Sequence, residues 1–402
     1  MTRILGLCSG DPTSRRSFSG SARQLFRALE RRDVLEGAVD VDLSRLGRLL
    51  TRTVEVARSR RIAAHRLRAR WAPIDMALRS RRASRCLERS GADAALMYGT
   101  DFFPATGGGR AAVPVGAALD ATFAQIARAG EHDFGSLTPL EVEACVARQR
   151  SVFDRCEVLF PRTEWCAASL EEDYGIGEER LVVTGAGTNF DGDLPSRGPY
   201  DGRTLLFVGR DWRRKNGPLV LDAFRLARER RPELRLVIIG PPDVGQREPG
   251  VEWVGALDGD RREELVARYR EASLYLCPSR FEPFGVAFLE AMSAGCPVVA
   301  LDRGAAREII EDGVTGSLLR DDEPAALAEV ILRWTSDLGR LTAAGTQARR
   351  TVEKSWGWDR AARRVEEGLL SVGPGLWLRP RGTGIRGGSA PVERPASAAR
   401  VR

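Results

Sequence analysis

Short apolar runs alternate along the chain with amphipathic stretches of helical period, and this alternation predicts strand followed by helix throughout. In the first half, strands are predicted from Arg3 to Cys8, Ala94 to Tyr98, Val113 to Leu119, Val158 to Pro161 and Leu181 to Thr184, most of them stopping at Gly, Asp or Ser. A second series runs from Leu205 to Val208, Leu234 to Ile239, Val251 to Val254, Leu274 to Cys277, Pro297 to Leu301 and Gly316 to Leu319, with helices such as Leu219 to Arg230 and Arg261 to Glu271 between them. Alternation of this kind points to the α/β class, with parallel sheets covered on both faces. Between the two series, Gly185 to Gly202 carries Gly and Pro without apolar periodicity and reads as a linker. The resulting division is a first domain over residues 1–195, a second over 196–370, and a tail over 371–402 that is rich in Gly, Pro, Arg and Ser and is expected to be disordered. Two doubly wound units place the default ligand site in the cleft between them.

Length and composition narrow the function. A chain of 402 residues suits two domains. No apolar run approaches the roughly 18 residues of a membrane-spanning helix. The opening segment lacks the basic start and long apolar stretch of a secretory leader, so a cytoplasmic protein is expected. Seven scattered cysteines, never in a C-x-x-C pair, fit reduced thiols better than disulfides or a zinc site. With only His65 and His132 in the chain, catalysis must lean on carboxylates, Arg, Lys or backbone groups.

The net charge of +7 is concentrated from Arg58 to Arg89, where eleven arginines meet two acids, Asp75 and Glu88. This stretch reads as one or two basic helices, either simply solvated or touching an acidic acceptor or an anionic membrane surface, the last of which would place the protein peripherally at the inner face of a membrane. No zinc-finger spacing or RNA-binding sheet motif accompanies the charge, so nucleic acid is not an expected partner. Three D-x-D pairs, Asp40/Asp42, Asp191/Asp193 and Asp258/Asp260, are what turns supply by chance, and no metal is assigned to them. No cofactor is expected either.

The chemistry concentrates in the second half. In CPSRFEPFGVAFLEAMSAGCPVVA, a helix is predicted from Phe284 to Ser293 with Pro283 near its first turn, Glu282 at its mouth and Glu290 about two turns along. The first-turn N–H groups of Phe284, Gly285 and Val286 then lack intrahelical acceptors and suit a diphosphate. Either glutamate can accept two hydrogen bonds from a vicinal diol of a ribose or a hexose. Upstream, TLLFVG runs into Arg210, and DWRRKNG places Lys215 five residues later. These two cations can neutralise a departing diphosphate without a metal.

FVGRDWRRKNG, RFEPFGVAFLEAMSAGCPVVA and EIIEDGVTGSLL together resemble the C-terminal domain of the retaining GT-B glycosyltransferases of family four, the glycosyl transferases group 1. The resemblance is close over about Thr204 to Leu319. In the first half it extends only to the plan, through SFSGSARQLFRAL and ERLVVTGAGTNF. It implies a GT-B architecture of two Rossmann-like domains facing across a cleft, with a nucleotide-sugar donor on the second domain and an acceptor on the first. Transfer would retain anomeric configuration and need no metal. Residue by residue, it gives Arg210 and Lys215 to the diphosphate, Glu290 to the ribose diol, Glu282 to the donor sugar, and Phe284, Gly285 and Val286 to backbone donation.

Gly20 fits a loop opening towards the cleft, and Asp120, in VGAALDATFAQI, stands where many relatives offer a histidine. Asp120 either orients or deprotonates the acceptor, or is a helix cap or turn residue. Where the family often has a Gly-Gly pair before a glutamate, this chain has Gly304 and Ala305 before Glu308. The family's final helix often crosses back to the first domain, and Trp356 to Leu370 is the candidate. The acceptor implied is a saccharide, a lipid-linked glycan or a small natural product. A noncatalytic nucleotide-sugar-binding or regulatory protein of the same fold is the alternative, because architecture alone does not assign transfer.

Overall fold

A computed structural model describes residues 2–15, 17–44, 47, 49, 72–105, 111–130, 137–190, 192, 197–241, 248–257 and 261–372. His65, His132, the pairs Asp191/Asp193 and Asp258/Asp260, residues 58–71 of the basic stretch and the tail from 373 lie outside them.

In the first half the elements are β1 (Ile4–Cys8), α1 (Ser21–Arg31), β2 (Leu35–Asp40), α2 (Pro73–Arg89), β3 (Ala94–Tyr98), β4 (Val115–Leu119), α3 (Phe123–Ala129), α4 (Pro139–Phe153), β5 (Val158–Pro161) and α5 (Glu164–Glu172). The second half has β6 (Thr204–Val208), α6 (Gly217–Arg230), β7 (Arg235–Ile239), β8 (Val251–Gly255), α7 (Arg262–Glu271), β9 (Leu274–Cys277), α8 (Val286–Ser293), β10 (Val298–Leu301), α9 (Ala306–Ile309), β11 (Gly316–Leu319), α10 (Pro324–Thr335), α11 (Leu338–Ser355) and α12 (Trp358–Ser371).

The strands form two parallel sheets, ordered β2-β1-β3-β4-β5 and β11-β10-β9-β6-β7-β8. β1, β3, β4, β5, β9 and β10 are buried at every position. That is the pattern of parallel strands covered by helices on both faces. Helix starts are written locally. Thr122 and Thr138 each head a capping box with Gln125 and Glu141, satisfying donors that have no intrahelical acceptor at the first turns of α3 and α4.

Three expectations need correction. β2 was not predicted: its sequence LEGAVD mixes two acids and a glycine into a half-buried edge strand, so the apolar pattern is weak. The strand expected from Leu181 to Thr184 is a single bridge from Leu181 to Leu159, continued by Val182 N–H and Thr184 N–H donating to Leu159 and Pro161 carbonyls. α8 begins at Val286 and not at Phe284, because Gly285 adopts a left-handed conformation (φ 85°) and ends the preceding turn there.

The segment read as a linker is pinned. Ala186 O accepts from Gly357 N–H, and Thr188 O accepts from the Trp358 indole at 2.7 Å. α12 then packs on α1 at the first sheet, with Arg31 bonded to Asp359 at 2.7 Å and Arg32 paired with Glu366. Apolar burial is continuous across the junction: Tyr98 and Phe160 from the first sheet share one core with Phe284, Phe288 and Trp358.

Candidate active site

Both sheets end at one cleft of about 660 Å³. Strand ends of parallel sheets, and the loops that leave them, are where ligands enter doubly wound folds. β6 leads through Gly209 into Arg210, which lies exposed on the cleft wall. The following turn folds back, Lys215 N–H donating to Asp211 O at 3.0 Å, and buries Lys215 beneath the wall.

The Lys215 ammonium is ion-paired with Glu282 and stands 3.8 Å from Cys277 Sγ. Burial lowers its pKa, but the Cys277 sulfur and the Glu282 carboxylate outweigh that and hold it above the usual lysine value. For Glu282, burial works upward, while Lys215, Arg214 and the Ser279 hydroxyl at 3.2 Å bring the carboxyl below its usual value. Arg214 Nη1 is 3.9 Å from the same Glu282 oxygen and donates to Phe281 O at 2.9 Å. Lys215 and Glu282, expected to serve diphosphate and sugar separately, thus hold each other, so a bound donor must share both.

Glu290 lies in α8, buried, with Oε1 3.0 Å from Arg262 and Oε2 3.5 Å from the Tyr269 hydroxyl. Burial pushes its pKa up against the pull of Arg262. Pro283, Phe284, Gly285, Val286 and Ala287 line the cleft at the start of this helix. The expected donors shift with the helix boundary. The open first-turn N–H groups are those of Val286 and Ala287, since Phe288 N–H already donates to Gly285 O. The buried Phe284 ring faces away into the junction, edge-on to Trp356.

From the first half, Asp120 lines the cleft immediately after β4, its side chain 36% exposed and its Oδ1 2.8 Å from Arg162 Nε. Burial, and then the Glu282 carboxylate opposite, raise its pKa to about 7. Gly20 is not on the wall. It is the buried residue heading α1 at φ 89°, and its neighbours Ser19 and Ser21 are the ones that line the cleft. Phe18 and Ser19 also have positive φ, 49° and 57°, a strained run whose Ser19 carbonyl accepts from Asn189 Nδ2 at 2.6 Å.

Arg15, Asn189, Arg214 and Arg262 also face the cleft and were not anticipated. Arg214 sits inside the basic turn already noted, where Lys215 drew the reading. Asn189 and Arg262 carry no local signal, because they reach the site through the path of the chain. Among the described residues no group of three or more Asp, Glu, His or Cys is arranged to hold a metal. Asp40 and Asp42 serve the first sheet: Asp40 accepts the N–H groups of Gly10 and Asp42, and Asp42 pairs with the buried Arg79.

Two parallel sheets with their strand ends meeting at a shared cleft are the architecture of the GT-B glycosyltransferases, and solved structures show the likeness. A sucrose-phosphate synthase of Thermosynechococcus elongatus superposes with a TM-score of 0.69 at 17% identity, over 92% of this chain and 99% of that one. The Anabaena protein HepE, solved in complex with UDP and glucose, gives 0.61 at 16% identity over 92% and 100%.

Within the chain, residues 202–337 match the family described as Glycosyl transferases group 1. The D-inositol 3-phosphate glycosyltransferase of Streptomyces avermitilis is 30% identical over 248 residues, 55% of this chain and 53% of that protein. Spore coat protein SA of Bacillus subtilis is 30% identical over 190 residues, 44% and 49% of the two chains. The chain therefore spans about half the length of the curated relatives it matches. No helix among the described residues is long and apolar enough to cross a membrane.

Proposed function

We propose that the protein is a retaining, metal-independent glycosyltransferase. It moves a sugar from a nucleotide-sugar donor to a hydroxyl of a saccharide, glycolipid or natural-product acceptor. The observation that carries the reading is the meeting of Arg210, Lys215, Glu282, Glu290 and the open N-terminus of α8 on one cleft wall, with Asp120 opposite. The family matched by residues 202–337, the names of the curated relatives, and a neighbour of the same fold described with UDP and glucose support it. In this reading residues 1–195 form the acceptor domain and 196–370 the donor domain.

The division of labour follows from charge and hydrogen-bonding capacity. The N–H groups at the start of α8, with the positive end of its dipole, receive the diphosphate. Arg210 and Lys215 stabilise the charge that develops on it, and this is where most of the rate enhancement arises. Glu290 accepts from the ribose diol and Glu282 from hydroxyls of the transferred sugar. Transfer is a front-face attack: the acceptor oxygen bonds to the anomeric carbon as the bond to the diphosphate oxygen breaks, and the hydroxyl proton passes to the departing phosphate. The cations supply the positive charge for which a metal would otherwise be recruited.

The experiment is a thermal-shift and sugar-release panel of UDP-, GDP-, ADP- and TDP-glucose, with and without EDTA. Stabilisation by one nucleotide class with EDTA-insensitive release is expected, and the released sugar should keep its anomeric configuration by NMR. Stabilisation without release, under any acceptor condition, would move the protein to the noncatalytic binding class. Release abolished by EDTA would remove the metal-independent mechanism.

A further inference from the structure

Arg162 follows β5 and is only 2% exposed, yet its guanidinium is anchored to the cleft at one point, Nε at 2.8 Å from Asp120 Oδ1. The pairing follows from strand register. Leu119 pairs with Pro161 across β4 and β5, so the residues that follow them, Asp120 and Arg162, emerge side by side, and Arg162 N–H donates to Leu119 O at 3.2 Å.

Around the guanidinium stand three aromatic rings from separate parts of the chain. Tyr98 from β3, Phe284 from the turn before α8, and Trp358 from α12 have centroids 5.3, 5.6 and 5.2 Å from its central carbon. These faces accommodate a cation without giving it hydrogen bonds. Nη1 and Nη2 of Arg162, and the Tyr98 hydroxyl, have no hydrogen-bond partner among the described residues.

A buried arginine that makes a single ion pair, with Nη1 and Nη2 unpartnered among the described residues, is a poor device for stability, since its desolvation offsets most of what the pair contributes. Its definite effect is on the carboxylate. With Oδ1 at 2.8 Å from Nε and the guanidinium packed among three rings, Oδ2 is the Asp120 oxygen that this pairing leaves uncommitted.

We propose that Arg162 is a positioning residue: it fixes Asp120 so that the carboxylate presents Oδ2 to a hydroxyl of a substrate bound in the cleft. This rests on the transferase reading above. Arg162 itself touches no substrate; it acts through Asp120. The aromatic collar shares this task, because Phe284 belongs to the same turn that heads the donor-binding helix, so the carboxylate is positioned relative to the donor wall as well.

The test is a double-mutant cycle on the full chain with Asp120→Asn, Arg162→Met and the combination. Arg162→Lys is included as a variant that keeps the charge but lacks the planar Nε donor. The probe is whichever of UDP-, GDP-, ADP- and TDP-glucose the wild type releases sugar from. Arg162→Met and Arg162→Lys are each expected to lower kcat about tenfold or more while the donor KM stays within about twofold. In the Asp120→Asn background, Arg162→Met should add less than about twofold, because the partner through which it acts is already altered.

Independent, multiplying losses would overturn the assignment, as would a fall in melting temperature with kcat unchanged. Should Arg162→Met not fold, the cycle is run with Arg162→Lys and read by the same criterion. A wild type that releases sugar from none of the four donors would defeat the transferase reading itself, and this inference with it. An active wild type with additive losses would defeat the inference alone.

Discussion

Lys215 and Glu282 are buried side by side at the ends of β6 and β9, and Arg214 stands beside the same carboxylate, so this corner of the cleft keeps surplus positive charge for an anion. Arg210 lies exposed on the cleft wall. Arg210→Ala is expected to lower transfer about a hundredfold with an unchanged melting temperature; near-normal steady-state rates would take it off the diphosphate. Lys215→Ala should cost a similar factor in rate and also lower the melting temperature, because it strands Glu282 in a buried position. Asp120 carries the pH dependence. The charged or titratable groups around it are Glu282, Arg162 and Cys166, and its carboxyl is raised to about 7. Raising the pH through that value converts the neutral acid to the carboxylate, so sugar release should climb along a limb centred near 7 and then level off. Asp120→Asn should be slower and lack the limb. The same limb in that variant would assign it to another group.

At the scale of elements, α8 depends on the turn that starts it. Gly285 has φ of 85°, and a Cβ there would lie 2.3 Å from the Phe288 ring, which itself packs in the core. Gly313 has a similar φ of 77° with nothing within 4 Å of its would-be Cβ. Gly313→Ala therefore pays only for the left-handed conformation, about 1–2 kcal/mol. Gly285→Ala pays the same and must also displace Phe288 and the helix start. It is expected to show the larger drop in melting temperature, together with at least about tenfold weaker binding of the preferred nucleotide by calorimetry. Equal effects at the two positions would mean that α8 needs no particular start.

Across the whole molecule, the two sheets are joined by more than the chain. The Glu308 carboxylate, from the second half, accepts the N–H groups of Glu164 and Trp165 at 2.9 and 2.8 Å and so caps α5 of the first half. Trp165 meets Phe281 edge-on across the same gap. Away from the cleft, α2 turns an exposed face outward that carries Ile74 and Leu78 beside Arg81, Arg82, Arg85 and Arg89. Such a face suits the boundary of an anionic bilayer. Sedimentation with vesicles containing anionic lipid is expected to exceed that with neutral vesicles and to fall as salt rises. Arg81→Glu combined with Arg85→Glu should abolish the difference. Equal sedimentation with both vesicle types would show α2 to be a solvated face.

The strand cores were legible because parallel strands buried on both faces must be continuously apolar, and ALMY, LYLC and VVAL have no other use for such runs. The edge strand β2 was not, since half of its surface needs no apolar residue. The second-half motif was legible for a local reason: a strand end, a turn and a helix start lie within a few residues, so Arg210, Lys215, Glu282 and Glu290 could be placed before any tertiary contact was known. Helix starts that depend on a single left-handed glycine, as at Gly285, shifted by two residues. What tertiary structure alone decided is who meets whom. Arg162 becomes the partner of Asp120 through the register of β4 with β5, Arg262 reaches Glu290 because α7 packs near α8, and Asn189 reaches the strained loop through the path of the linker. Short-range geometry is written in neighbouring residues, whereas pairings across tens to hundreds of residues depend on packing that no local pattern records.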